Sequence, residues 1–199
     1  MPEALPPPAP HVQVRDPRVL RALAHPLRGR LLGLLRLDGP STATRLGQRV
    51  GESSGVTSYH LRQLAAHGFV AEVAGRGTGR ERWWQAQHQM TSWQPDELLD
   101  QPGGLEADEQ MHRHQIEGWG RELAAWADGG RAHGREWAAV AGLSDHVLRL
   151  TPSETRLLLD ELHGLLERWS HGHREPREGA HLVNVLVGAF PRTEPPAPA

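Results

Sequence analysis

Apolar residues recur at helical spacing through the first third of the chain. Val19, Leu20, Leu23 and Ala24 follow Asp16-Pro17, an aspartate suited to an N-cap and a proline suited to the first helical position. His25-Pro26 interrupts that run, and Leu27, Leu31, Leu34 and Leu35 predict a second helix that stops at Asp38-Gly39-Pro40. A shorter helix over residues 42–50 puts Leu46 and Val50 on its inner side, and Gly51-Glu52-Ser53 supplies a tight turn ending in hydroxyls that can cap the next helix. From Ser53 to Leu64, stepping about 100° per residue, Val56, Thr57, His60, Leu61 and Leu64 fall on one arc and Ser58, Tyr59 and Arg62 on the other. The first arc is expected to pack and the second to face outward.

The period then changes from helix to strand. Residues 69–74 and 80–85 are strand-like runs joined by Gly75-Arg76-Gly77-Thr78-Gly79, a flexible hairpin with an arginine at its tip. Two helices across a turn, followed by a basic hairpin, predict a winged helix-turn-helix over residues 15–90. Residues 91–104 hold two prolines, two glycines and several acids and read as a linker. An amphipathic helix is expected over 105–127, with Leu105, His112, Ile116, Trp119, Leu123 and Trp126 on one stripe. That stripe needs a cover, either a second subunit or the chain's own C-terminal segment.

The last third reads as a strand-helix-strand unit. Residues 145–150 and 181–190 alternate like strands; between them Thr151-Pro152-Ser153-Glu154 forms a capping box ahead of Leu158, Leu162, Leu165, Leu166 and Trp169, expected as a broad buried face. The proline-rich ends, 1–14 and 191–199, are expected as disordered tails. The fold class expected is mainly α with a β wing (α+β): a winged helix-turn-helix, a helical dimerisation segment and a small strand-helix-strand unit, with residues 105–190 as the dimerisation and effector region.

Charge sharpens this division. The formal net charge is −2, yet residues 11–90 hold twelve arginines against five acids and residues 91–199 ten against eighteen. A basic front half suits a polyanion-binding module. Every basic residue other than histidine is arginine, a bias that fits a GC-rich genome and says little about any single site. The absence of cysteine excludes disulfides, thiolate metal sites and a cysteine nucleophile. The first residues carry neither a basic region nor an apolar run of the signal-peptide kind, and no apolar stretch approaches the roughly 20 residues needed to span a bilayer, so a cytoplasmic protein without membrane contact is expected.

The stretches DPRVLRALAHPLRGRLLGLL and SSGVTSYHLRQLAAHGFV and the wing ending RERWW resemble the ArsR-type winged helix-turn-helix regulators, especially actinobacterial members with an extra C-terminal region. The resemblance covers about residues 15–90. It implies a homodimer that binds double-stranded operator DNA and responds to a signal, with DNA contacts from Ser58, Tyr59 and Arg62. Members that sense arsenic or cadmium use cysteines, which this chain lacks; the Asp, His and Glu spacing of the zinc and nickel sensors is not intact here.

Candidate DNA-binding residues are Ser53, Ser54, Thr57, Ser58, Tyr59 and Arg62 on the second helix of the motif, with Arg76, Arg80 and Arg82 on the wing. Arg62 and Tyr59 are suited to base edges, and the serines near the helix N-terminus to phosphates. Thirteen histidines invite a metal reading, but His112 and His114 lie about 200° apart on a helix and cannot share an ion. Asp108, Glu109 and His112 are the remaining cluster at helical spacing, but a hydrogen-bonded interface histidine accounts for His112 better, and no metal site is expected. No cofactor is demanded, and neither a phosphate-binding loop nor a nucleophile elbow points to an enzyme. The function expected is therefore a homodimeric repressor that binds an inverted-repeat operator through a recognition helix over residues 53–67 and a wing over 69–85, and two other functions compete with it. One is a sensor whose C-terminal half binds a small-molecule effector between Trp119, Trp126, Trp137 and Trp169; the other is a winged helix used for protein contacts.

Overall fold

The computed structural model describes residues 9–76, 81–173 and 177–192, and it divides into two compact units, residues 1–124 and 125–199. Local signals set the helices of the first unit. Asp16 caps α1 (Pro17–Leu23) by accepting the Arg18 N–H at 2.8 Å. His25 caps α2 (Pro26–Asp38), its Nδ1 accepting the Leu27 N–H at 3.2 Å. Thr42 and Ser53 cap α3 (Ala43–Val50) and α4 (Ser54–Ala66) in the same way. Gly51 ends α3 in the left-handed region at φ 78°, which glycine adopts without a Cβ penalty.

Leu20, Leu31, Leu32, Leu46, Leu61, Leu64 and Phe69 are fully buried in one core. Each such side chain contributes about 1.5–3 kcal/mol by leaving water. Three short strands lie against it in the order β2-β4-β3, where β2 is Ser41–Thr42, β3 is Val70–Glu72 and β4 is Trp83–Ala86. Both pairings are antiparallel, with Val70 opposite Ala86 and Ser41 opposite Trp84. This is the expected winged helix-turn-helix.

Two expectations around it are corrected. Residues 9–14 were expected in a disordered tail, but Ala9–Val14 forms strand β1, parallel to β5 (His88–Trp93) and in register from Ala9 opposite His88 to Val14 opposite Trp93. Arg36 of α2 fixes β5 in turn, donating to the His88 carbonyl at 2.9 Å and the Thr91 hydroxyl at 2.6 Å; burial pushes its guanidinium down to about 10. Residues 91–104 are no linker either. They complete β5 and form α5 (Pro95–Leu99), whose Leu98 is fully buried, and Gly104 approaches that helix so closely that a Cβ would collide with the Leu98 carbonyl oxygen.

The long helix α6 (Gly104–Gly129) buries a different side from the one expected. Ala107 and Asp108 face inward, while Leu105 and Ile116 stay 52% and 64% exposed. Trp93 explains the choice: its indole N–H donates to Asp108 at 2.8 Å, so a small residue and a satisfied carboxylate fill the contact.

In the second unit α7 (Arg135–Val140) and α8 (Pro152–Gly172) form, the latter with the predicted capping box of Thr151 and Glu154. The flanking strands do not form: residues 145–150 and 181–190 are neither helix nor strand. Alternation gave them strand character, but no strand among the described residues of this unit offers them a ladder. The α8 face is correspondingly open, with Leu165 at 43% and Trp169 at 61% exposure. No helix among the described residues is long and apolar enough to cross a membrane.

Candidate nucleic-acid interface

The corner between α3 and α4 is tight because Gly47 lets the turn close on it. The Glu52 N–H donates to the Gly47 carbonyl at 2.9 Å, and the Thr57 hydroxyl donates to the Ser53 carbonyl at 2.9 Å. Thr57 is therefore fully buried as part of the corner, which removes its side chain from the exposed set of candidate contacts. The packing arc is corrected at one other place. Val56 stands 41% exposed because the first turn of α4 projects beyond the core that Leu61 and Leu64 enter.

The outward arc of α4 is exposed at Tyr59 and Arg62 and only partly at Ser58. Ser53 and Ser54 are exposed as well; the Arg62 Nε–H donates to the Ser58 carbonyl at 3.3 Å, which lays the guanidinium along the helix. Ser54, Ser58 and Arg62 line one wall of a cleft of about 520 Å³. Thr42, Ala43 and Thr44 at the start of α3 line a second wall, and Glu81, Arg82 and Trp84 at the root of the wing a third. Hydroxyls from α3 and α4 and the guanidiniums of Arg62 and Arg82 thus line one concavity, with the Glu81 carboxylate as its one acid, and such hydroxyls and guanidiniums suit phosphate oxygens.

The wing residues are held in two ways. Arg82 pairs with Glu72 across the hairpin at 3.4 Å. Arg76 lies over the Trp83 ring, its guanidinium carbon 3.9 Å from the centroid, and Arg45 of α3 lies over the same ring at 4.9 Å. The quadrupole of the indole attracts both cations and holds them at the seam between α3 and the wing. Arg80 falls outside the described residues. Thr44 and Arg45 were missed from sequence, although both are polar positions on α3 away from Leu46 and Val50, the side that must accompany α4 to any groove.

The cluster expected at Asp108, Glu109 and His112 does not converge. His112 Nδ1 lies 3.2 Å from the Asp108 carboxylate, which also accepts from Trp93, while Glu109 turns away to Arg113 at 3.5 Å. No group of three or more metal-ligating side chains occurs among the described residues. In the second unit Trp137 meets the edge of His181 at 5.2 Å and Trp169 lies against His173 at 5.0 Å, so the two tryptophans serve separate contacts.

Residues 23–73, from the end of α1 to the wing's first strand, match the family described as a helix-turn-helix domain. The match spans about a quarter of the chain and falls on the helices α2, α3 and α4 described above. The domain's third and fourth helices are the pair whose outer face lines the cleft. Among solved structures the chain is similar to a transcriptional regulator from Thermotoga maritima, at 18% identity over 76% of this chain and 82% of that one with a TM-score of 0.31. It is also similar to a mutant of ZitR from Lactococcus lactis in its apo form, at 14% identity over 72% and 83% with a TM-score of 0.28. Values this low leave the functional reading to the chain's own residues. A search of curated proteins found no significant match.

Proposed function

We propose that the protein is a DNA-binding transcriptional regulator, a homodimeric repressor of the ArsR type that reads an inverted-repeat operator through α4 and grips phosphates with its wing. The cleft carries this reading: Ser54, Ser58 and Arg62 of α4, Thr44 of α3 and Arg82 of the wing present donors to one concavity on a helix-turn-helix domain. Arg62 and the exposed ring of Tyr59 reach base edges, and the serines and wing arginines take backbone contacts that fix the register. The protein acts by binding and performs no reaction.

The homodimer is supported by apolar side chains left open in the second unit on Leu165, Trp169, Leu182 and Val185. Exposed apolar surface on this scale marks an association surface, and a second copy is the partner that closed symmetry favours. Two-fold symmetry sets the recognition helices about 34–36 Å apart, one turn of DNA. Selection of duplexes from a random pool by the purified protein tests the reading. It predicts enrichment of an inverted repeat with half-sites one turn apart. A lone half-site would overturn the dimer, and a pool without any enriched sequence would overturn specific recognition.

A small-molecule effector is a second reading, favoured by the ring cluster in which His181 meets His133 at 5.5 Å and Trp137 at 5.2 Å. A saturable change in tryptophan fluorescence that disappears in Trp137→Phe would support it.

A further inference from the structure

The inner side of α4 carries a titratable contact that the DNA-binding face does not use. His60 is half-buried, and its ring lies 4.5 Å from that of His25, centroid to centroid, tilted by 40°. His25 is itself the cap of α2, so its Nδ1 must stay unprotonated to accept the Leu27 N–H. The Tyr59 ring, on the outward face, meets the His60 ring edge-on at 5.1 Å. One imidazole pair therefore joins the corner between α1 and α2 to the helix that presents Tyr59 and Arg62.

The surroundings oppose a positive charge on this pair. Arg28 of α2 acts on both rings, and buried Arg28 Nε and His60 Nδ1 have no hydrogen-bond partner among the described residues. Tyr59 faces Arg28 from α4, and Glu52 faces His60 from the turn before that helix. From α6, His114 comes so close to α2 that a Cβ on Gly29 would collide with its Nε2, and Glu117 and Arg121 act on His114 in turn. Glu52 is the one facing acid that favours a charged His60, and it ranks behind burial, His25 and Arg28.

We propose that the His25–His60 contact is a proton-sensitive latch: neutral rings hold α4 against the α1–α2 corner, and protonation of either ring loosens the helix and weakens DNA binding. The second half of this inference rests on the DNA-binding reading; the first does not. Protonating His25 turns its acceptor into a donor, so the Leu27 N–H loses its cap and a cation is set against Arg28. Protonating His60 sets a cation against His25 and Arg28.

Burial first, and then neighbouring charge, holds both imidazoles below their ordinary range. Their folded values lie below their unfolded ones, so the unfolded chain binds more protons between the two. The latch is complete above about pH 6.5 and is lost as pH falls from there through the lowered folded values. This sign separates the latch from bulk electrostatics, because protonation of exposed histidines adds positive charge and strengthens attraction to phosphate.

Amide hydrogen exchange on the full-length protein at about pH 7.5 and about pH 5.5, corrected for intrinsic rates, reads the latch without DNA. Protection of the α4 amides should fall about tenfold more than that of β4 at the lower pH, and His60→Gln should shrink the difference. His25→Asn is the second variant, keeping an acceptor for the Leu27 N–H without a titrating group; it should shrink the difference too, and the double variant should abolish it. Wild-type α4 protection that holds at about pH 5.5, or an unaltered drop in both variants, overturns the latch. Affinity for a fluorescent duplex from upstream of the gene is measured alongside. Its value at about pH 7.5 tests the DNA-binding reading alone, while a tenfold loss at about pH 5.5 that each variant reduces and the double variant abolishes ties the latch to binding.

Discussion

Replacing Gly47 with alanine tests how closely α3 and α4 are packed at the corner that sets the direction of α4. A Cβ there would stand 2.6 Å from the Glu52 carbonyl oxygen and 3.0 Å from the Thr57 hydroxyl, against 3.4–4 Å for ordinary contact. Neither neighbour can rotate aside. The Glu52 oxygen is backbone in a turn tied to Gly47, and the Thr57 hydroxyl is committed to the Ser53 carbonyl. Relief requires the turn to shift by most of an ångström, and overpacking of that kind costs about 1–3 kcal/mol. The substitution also gains about 1 kcal/mol, because alanine is the better helix former. With two rigid neighbours the steric cost lies in the upper part of its range, so a net loss of about 1–2 kcal/mol is expected. Gly33 in α2 is the control: no heavy atom lies within 4 Å of its Cβ position, so the same change there keeps only the propensity gain. Urea unfolding followed by far-ultraviolet circular dichroism should move the two midpoints in opposite directions. Gly47→Ala matching or exceeding the wild type would refute the packing argument.

Arg62→Ala should weaken binding to the selected duplex by about 1–3 kcal/mol while leaving the urea midpoint in place; unchanged affinity in an anisotropy titration removes Arg62 from the interface. Joint replacement of Arg45, Arg76 and Arg82 by alanine should flatten the slope of log affinity against log salt by about 0.9 for each phosphate that is no longer neutralised, and an unaltered slope argues against the wing. Leu61→Ala empties a fully buried position between the helices and should cost about 2–5 kcal/mol in the same unfolding assay. A loss under about 1 kcal/mol would mean that the core closes around the gap.

The front of the fold is legible in the sequence because its signals are local. Asp16, Thr42 and Ser53 announce helix starts, and Gly51 announces a stop. The exposed face of α4 follows from the same periodicity, since Leu61 and Leu64 fix which side is inside. Thr57 shows the limit of that reasoning. A hydroxyl at a helix start suits a phosphate or a backbone carbonyl equally, and only the closed corner decides for the Ser53 carbonyl. Strand β1 is invisible locally because its ladder partner lies roughly 80 residues away, and prolines precede it.

Long-range contacts also explain the reversed face of α6 and the misread segment before it. Hydrophobicity alone prefers the stripe of Leu105 and Ile116, but the indole N–H of Trp93 draws Asp108 inward with Ala107 beside it. The Pro/Gly-rich run 91–104 has linker composition, yet Leu98 anchors it and Gly103, at φ 75°, turns the chain into α6. In the second unit, the alternation of residues 181–190 predicts strand without a partner to pair with. Its apolar side chains are the surface the proposed dimer would cover.

The most direct test of the DNA-binding reading is a fluorescence titration of the purified protein against duplex DNA from upstream of its own gene and a scrambled control, repeated at several salt concentrations. Preference for the upstream duplex of about 10³-fold or more, with affinity falling steeply as salt rises, is the result expected. No binding to either duplex even at low salt would contradict it.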